Sequence, residues 1–301
     1  MIRRAALAAL GLAACATAPQ PPGEGNRLIR GLVPDGGFGA RLATDGERLW
    51  IAAPFAGIVY AAAGGPVAEG AAGSFTGAGL AWTAEGLAVG APVPGTVTVD
   101  GQIELSEAGV GGILAVGPGG WVASTPTGWV AADGTRGELG RRPDALLFDG
   151  TTVRAGAAFG PIATWSGTTP TPRASEIDEA GATLLLCDTD GDGTTEVLVG
   201  APGSGEVRTD GVVIASGSGR FGAALACGTA PGMLYIGAPA AGELHAGALY
   251  VVDHRGPPTP LLVGAARDEL GTAVAVAAGW VYAGAPGPAA ATGYVRGVPE
   301  P

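Results

Sequence analysis

Short apolar runs, mostly four to six residues long, recur along the whole chain, each broken by glycine, proline or an acidic turn. Residues 221–239 read FGAALACGTAPGMLYIGAP, residues 38–54 FGARLATDGERLWIAAP and residues 77–92 GAGLAWTAEGLAVGAP. In each, an apolar run containing glycine leads through a polar turn into a second apolar run. Each then stops at a small-small-Pro tripeptide. Leu49/Ile51, Leu87/Val89, Trp121/Ala123, Val153/Ala155, Val197/Val199, Leu234/Ile236 and Val281/Ala283 take the same two alternate positions of the second run, read as inward-facing. A period of two over so short a run predicts a strand rather than a helix.

The stop recurs at Pro54, Pro92, Pro126, Pro202, Pro239 and Pro286, with Ala158 in the slot of a degenerate copy. The spacings are 38, 34, 32, 44, 37 and 47 residues. A third run follows each stop, as in Gly57-Ile58-Val59-Tyr60 and Gly247-Ala248-Leu249-Tyr250-Val251, and a fourth precedes the next copy, as in Val212-Val213-Ile214-Ala215. Four strands per unit of this length predict a β-propeller blade. The last copy ends after its third run, Gly293-Tyr294-Val295-Arg296, while Leu28-Ile29-Arg30-Gly31 stands before the first copy as an unpartnered fourth. The expected fold is therefore all-β, a seven-bladed β-propeller of four-stranded blades over residues 27–301. The N-terminal strand closes the ring in the last blade and covers an otherwise bare edge.

Phe38-Gly39 and Phe221-Gly222, together with Val89-Gly90-Ala91-Pro92, Val199-Gly200-Ala201-Pro202 and Ile236-Gly237-Ala238-Pro239, resemble FG-GAP repeats. These build the propeller at the head of integrin α chains and of many bacterial surface proteins. The resemblance spans roughly residues 27–297. It is weakest in blades three and four, where Phe-Gly is reduced to Gly111-Gly112 or lost.

Composition supports a folded chain. With 56 Gly and 24 Pro in 301 residues, low complexity would be suspected, but 47% of residues are hydrophobic and 14% charged, the reverse of a disordered balance. Sixteen arginines, no lysine and 27 acids give a net charge of -11, which disfavours nucleic acid as a partner.

The N-terminus pairs Arg3-Arg4 with an apolar run from Ala5 to Ala14, too short to span a bilayer and suited to a secretory signal. Leu12-Ala13-Ala14-Cys15 resembles a bacterial lipoprotein cleavage box, the alternative being an ordinary signal peptide with an incidental cysteine. The resemblance implies a signal peptide over 1–14, a lipidated Cys15, and a Pro- and Gly-rich tether over 15–26. Removing Arg3 and Arg4 leaves 14 arginines against 27 acids, a charge of -13. The expected location is the bacterial cell envelope, anchored by lipid at the outer membrane, facing the periplasm or the cell surface. Export permits a disulfide between Cys187 and Cys227, 40 residues apart; two small buried thiols fit the sequence equally well.

One constellation carries chemistry. Residues 188–196 read Asp188-Thr189-Asp190-Gly191-Asp192-Gly193-Thr194-Thr195-Glu196. Alternating carboxylates and turn glycines can wrap oxygens around a hard cation such as Ca²⁺. An EF-hand would close with Glu at its twelfth position and enter a helix. Here the acid is ninth and the strand-like Val197-Leu198-Val199 follows. By resemblance to the calcium loops of FG-GAP propellers, Asp188, Asp190, Asp192 and Glu196 bind by side chain and Thr194 by its carbonyl, holding one structural Ca²⁺. The plainer reading is an acidic hairpin turn without an ion.

Catalytic signatures are lacking. His245 and His254 have no metal-ligand spacing, and neither a Gly-x-Ser-x-Gly elbow nor a phosphate loop occurs. The six tryptophans fall mostly on strand positions, which suits a core role. The reading is a monomeric, membrane-anchored, non-enzymatic binding or adhesion module for a protein or glycan ligand. The alternatives are a periplasmic assembly scaffold and a propeller hydrolase or lyase built on Arg141, Arg142 and Asp144.

Overall fold

The computed structural model describes residues 26–156, 162–166, 169–173, 181–288 and 291–301, with side chains described for all of these except 162–166 and 169–173. The signal segment, Cys15, nearly all of the tether and Ala158 lie outside the described residues.

The strands pair into four-stranded sheets that follow one another along the chain. We number them one to seven: residues 41–69, 79–106, 114–138, 145–173, 183–216, 224–263, and 273–299 joined by Arg27–Arg30. Strand pairing within every sheet is antiparallel, and in the first six the strands stand in chain order. The first strand of each sheet packs on the first strand of the next, and that of sheet seven returns to that of sheet one. This is an all-β propeller of four-stranded blades. Arg27–Arg30 pairs with Tyr294–Pro299, so the N-terminal strand completes the last sheet, as its unpartnered pattern implied.

Burial falls from the second strand outward. Leu49–Ala53 and Gly86–Ala91 are buried at every position. Third strands such as Thr96–Val99 alternate, and outer strands such as Gln102–Ser106 are mostly exposed. The second strands correct one expectation. Leu49 and Ile51 pack towards sheet seven, while the intervening Trp50 and Ala52 pack towards sheet two and are just as buried. A strand sandwiched between two neighbouring blades has no solvent side, so its alternation sorts side chains between two seams rather than in from out.

The repeat motif has a physical cause in those seams. The Phe-Gly glycines and their equivalents, Gly39, Gly77, Gly111, Gly181, Gly222 and Gly271, all have φ between 86° and 93°, a region that other residues rarely enter. Each donates its amide to the second strand of its own sheet, for example Gly222 to Gly237 O at 3.1 Å and Gly271 to Gly284 O at 2.9 Å. Except at Gly77, which faces Ala52, its carbonyl then lies against the glycine of the preceding sheet's Gly-Ala-Pro slot, so that a methyl on Gly90, Gly156, Gly200, Gly237 or Gly284 would overlap it. The preceding residue plugs the blade. Phe38 and Phe221 are buried with edge-on contacts to Tyr60 and Tyr250, each at 5.4 Å. Sheet three follows the same plan, which corrects the sequence reading there. Val110-Gly111, not Gly111-Gly112, fills the Phe-Gly slot, since Val110 is fully buried and Gly111 donates to Ser124 O.

The outer edges are blunted. Sheets one, two, five and six each carry a register shift between the third and outer strands, leaving Val67, Glu104, Ile214 and Leu261 as the extra residues. Pro66 and Pro260 sit in outer strands, where a missing donor is tolerated. Bulges and prolines on exposed edges oppose strand addition from other chains.

Candidate metal centre

The acidic segment joins the first strand of sheet five, Thr183–Cys187, to its second, Glu196–Ala201, with Cys187 and Glu196 as the last paired residues. Local hydrogen bonds curl it. The Asp188 carboxylate accepts the amides of Gly191 at 2.6 Å and Gly193 at 3.0 Å. Both glycines have positive φ, 78° and 87°, which lets their amides turn back on Asp188. Asp192 accepts the amide of Thr194 at 2.7 Å, and Asp190 that of Asp192 at 3.3 Å. Glu196 accepts both the amide and the hydroxyl of Thr189, at 3.0 and 2.7 Å.

One oxygen from each of Asp188, Asp190, Asp192 and Glu196 consequently lies within 4.8 Å of the others. Oxygens around one Ca²⁺ stand 2.3–2.6 Å from it, so ligands on opposite sides are about 5 Å apart. The cluster therefore has the span of one calcium coordination sphere, and its all-oxygen donor set suits a hard cation. Asp190 and Asp192 are exposed, leaving room for water ligands. The structure brings together all four predicted carboxylates. Thr194 lies in the same loop, its amide engaged with Asp192.

Sheet six closes over this loop. The turn after its third strand, Ala248–Asp253, places Arg255 Nη2 3.2 Å from Asp190 and 3.4 Å from Glu196, with its Nε donating to Thr189 Oγ1 at 3.2 Å. His254 Nδ1 lies 3.0 Å from the Asp190 carbonyl oxygen, and Gly232 donates to the Asp188 carbonyl at 3.1 Å. His254 is exposed, as the sequence suggested, yet it belongs to this site. Arg255 was missed, because nothing in a stretch some 60 residues downstream marks it as a neighbour of the acidic loop. Beside the loop, Cys187 and Cys227 end the first strands of sheets five and six with their Cα atoms 5.7 Å apart, inside the range a disulfide requires.

The remaining sequence candidates lie outside this loop. Arg141, Arg142 and Asp144 are exposed, and Asp144 donates its amide to Gly156 O in the connection entering sheet four. His245 is exposed in a separate turn. Trp50, Trp121 and Trp129 are buried; Trp82 stacks on Trp50 at 4.4 Å, with Arg48 over both rings. The side chain of Trp165 is outside the described residues. Among the described residues, three crevices of about 510, 560 and 590 Å³ each carry a single carboxylate and no histidine. Among the described residues, no helix is long and apolar enough to cross a membrane.

Comparison with known proteins bears on the fold and on one repeat. The FG-GAP repeat family matches residues 180–223, a segment that includes the acidic loop and Phe221-Gly222. Comparison with curated proteins gives no match. Among solved structures, virginiamycin B lyase from Staphylococcus aureus is similar with a TM-score of 0.68 at 12% identity, covering 91% of this chain and 98% of that one. A streptogramin B lyase gives 0.66 at 12% identity, over 91% and 97%. The computationally designed Ika8 protein gives 0.56 at 20% identity, over 86% and 82%. At these identities the likeness concerns the fold alone.

Proposed function

We propose that this chain is a lipid-anchored, non-enzymatic binding module of the bacterial envelope, built on a seven-bladed FG-GAP propeller with one structural Ca²⁺ in the 188–196 loop. The lipid anchor rests on the cleavage-box pattern ending at Cys15. Seven four-stranded sheets whose first strands close on one another support the blade number.

One observation carries the binding role. Leu32, Val33, Phe55, Phe75 and Val93 form an exposed apolar arc on the small-small-Pro turns and the connections between sheets. Phe55 and Phe75 meet edge-on at 5.8 Å; backbone bonds from Phe55 to Gly36 and from Val93 to Ser74 tie the loops into one surface. Phe55 is 61% and Val93 64% exposed. Apolar side chains held out together on rigid loops mark an interaction surface. The test is capture of envelope proteins or glycans by the wild-type chain and by Phe55→Ser. Loss of the captured species in the variant is expected, and equal capture refutes the assignment. Protease treatment of intact cells separates a surface module, which is digested, from a periplasmic scaffold, which is protected.

The span of the acid cluster supports the calcium assignment. With a Kd of ~10⁻⁴–10⁻³ M, as in extracellular calcium modules, 5 mM Ca²⁺ stabilises the fold by about 1–2 kcal/mol. Melting should rise by several degrees over EDTA in wild type and not in Asp190→Asn with Asp192→Asn. Identical wild-type melting in both conditions overturns the assignment. The ion's work is electrostatic: four carboxylates share one site with, among the described residues, Arg255 alone paired to them, and a divalent cation removes their repulsion.

A further inference from the structure

The seam where the chain closes on itself holds a crevice of about 560 Å³ between the outer strand of sheet six, Thr259–Val263, and the outer pair of sheet seven, Tyr294–Pro299 and Arg27–Arg30. Its walls carry Arg27, Arg30 and Arg296 against a single carboxylate, Asp268. On a chain with 27 acids and 16 arginines, this is a local reversal of charge.

Strand register explains the convergence. Arg30 stands opposite Tyr294 and Leu28 opposite Arg296, so the two arginines are diagonal neighbours on one face, roughly 7–8 Å apart. Both share the face of Tyr294, whose pKa burial and Asp268 raise and these two charges lower. Asp268 does not neutralise them. Its Oδ2 accepts the Tyr294 hydroxyl at 2.6 Å and the Ala265 amide at 2.7 Å, and among the described residues it forms no ion pair. Arg27 is partly engaged, stacking on Trp280 at 4.1 Å and donating to the Tyr282 hydroxyl at 2.7 Å. Arg296 donates one bond, to Val263 O at 3.3 Å, and Arg30 makes no side-chain bond among the described residues. Most of the donor capacity of these two guanidiniums is therefore unused among the described residues, and both residues line the crevice. Its lips are aliphatic: Leu28 is 45% and Val263 58% exposed.

Two like charges on one face, with a single nearby carboxylate that pairs with neither among the described residues, repel one another, and a bound anion offsets that repulsion. One planar guanidinium fork already satisfies both oxygens of a carboxylate, whereas a phosphoryl group presents three terminal oxygens and more charge. We propose that this crevice binds the phosphoryl group of an amphiphilic ligand, with Arg30 and Arg296 on its oxygens and Leu28 and Val263 against its apolar part. A membrane phospholipid and a soluble phosphorylated compound share this chemistry.

The experiment is calorimetric titration of the full chain carrying Cys15→Ser, so that no acyl chain contributes, without added calcium. The two probes are inorganic phosphate and dihexanoyl phosphatidylglycerol below its micelle concentration. Saturable binding is expected. Arg30→Gln should weaken it by about 10–100-fold, the range of a lost charge-assisted hydrogen-bond pair, and Arg30→Lys, which keeps the charge without the fork, by less. Arg30 is exposed and unbonded within the fold, so the variant melts like wild type and lost binding is not lost folding. Tighter binding of the phospholipid identifies a headgroup site, and tighter binding of phosphate a soluble ligand. No saturation with either probe, or unchanged affinity in Arg30→Gln, overturns the proposal. The titration is independent of the calcium loop and of the apolar arc, so failure of either leaves it standing.

Discussion

Replacing Gly237 by alanine tests why this repeat needs its second glycine. Gly237 has ordinary backbone angles, so the substitution adds a methyl without dihedral strain. The methyl carbon would overlap the carbonyl oxygen of Gly271, lie 2.9 Å from the carbonyl carbon and meet Ala224 Cβ at 3.2 Å. The obstacle is backbone, tied into sheet seven by the bond from Gly271 to Gly284 O, and cannot rotate aside as a side chain would. Overpacking costs about 1–3 kcal/mol, and the need to shift a whole sheet places this case near 3 kcal/mol. At about 2–4 °C per kcal/mol for a domain approaching this size, melting should fall by roughly 6–12 °C. Scanning calorimetry reads the change directly. Gly65→Ala is the control: its methyl meets nothing within 4 Å and φ is not positive, so the effect should stay within about 0.5 kcal/mol. Sheet one carries Ala52 in the same slot, so the seam between sheets one and two already accommodates a methyl. If Gly237→Ala melts within a degree of wild type, the seams are compliant and the steric account of the motif is wrong.

Two further outcomes follow from the geometry. If Cys187 and Cys227 are bridged, the oxidised chain is about 2 Da lighter than the reduced one, and reduction costs up to about 4 kcal/mol by the chain-entropy model for a loop of this length; two free thiols under non-reducing conditions refute the bridge. Asp149 turns the chain between the first two strands of sheet four. Burial opposes its ionisation, but the Arg154 ion pair at 2.9 Å and the amides of Thr151 and Thr152 outweigh it and hold its pKa at about 2. A depressed carboxylate stabilises the fold above its unfolded pKa near 3.9, and the contribution disappears as pH falls through about 2. Asp149→Asn should therefore destabilise by about 1 kcal/mol at pH 7, after allowance for partial exposure, and the difference from wild type should vanish towards pH 2. Urea titrations at the two pH values measure it, and a difference that persists at low pH would sink the argument.

How far the chain could be read before folding depended on whether each signal was local. Strand periodicity, turn glycines and the stop after each second strand depend on a few consecutive residues. They marked the repeat, the four strands per unit and the N-terminal strand at Arg27–Arg30 that completes sheet seven. The acidic loop was equally legible, since its four carboxylates lie within nine residues and their own amides curl them together. Sheet three was misread by one position because Val110 resembles phenylalanine only in being buried, a property that the packing confers.

The relations between blades belong to the tertiary structure. Arg255 and His254 reach the acidic loop because two consecutive sheets lie side by side, which no spacing along the chain encodes. Arg30 and Arg296 face one crevice because strands from opposite ends of the chain pair in one register. The abundance of glycine divides along the same line. Sequence by itself established that the chain turns often and in a repeating order, since turn chemistry is local. Only the assembled ring shows that one glycine of the motif serves φ near 90° and that the other, in five of the sheets, serves the absence of a Cβ, because that space is taken by the backbone of the next blade.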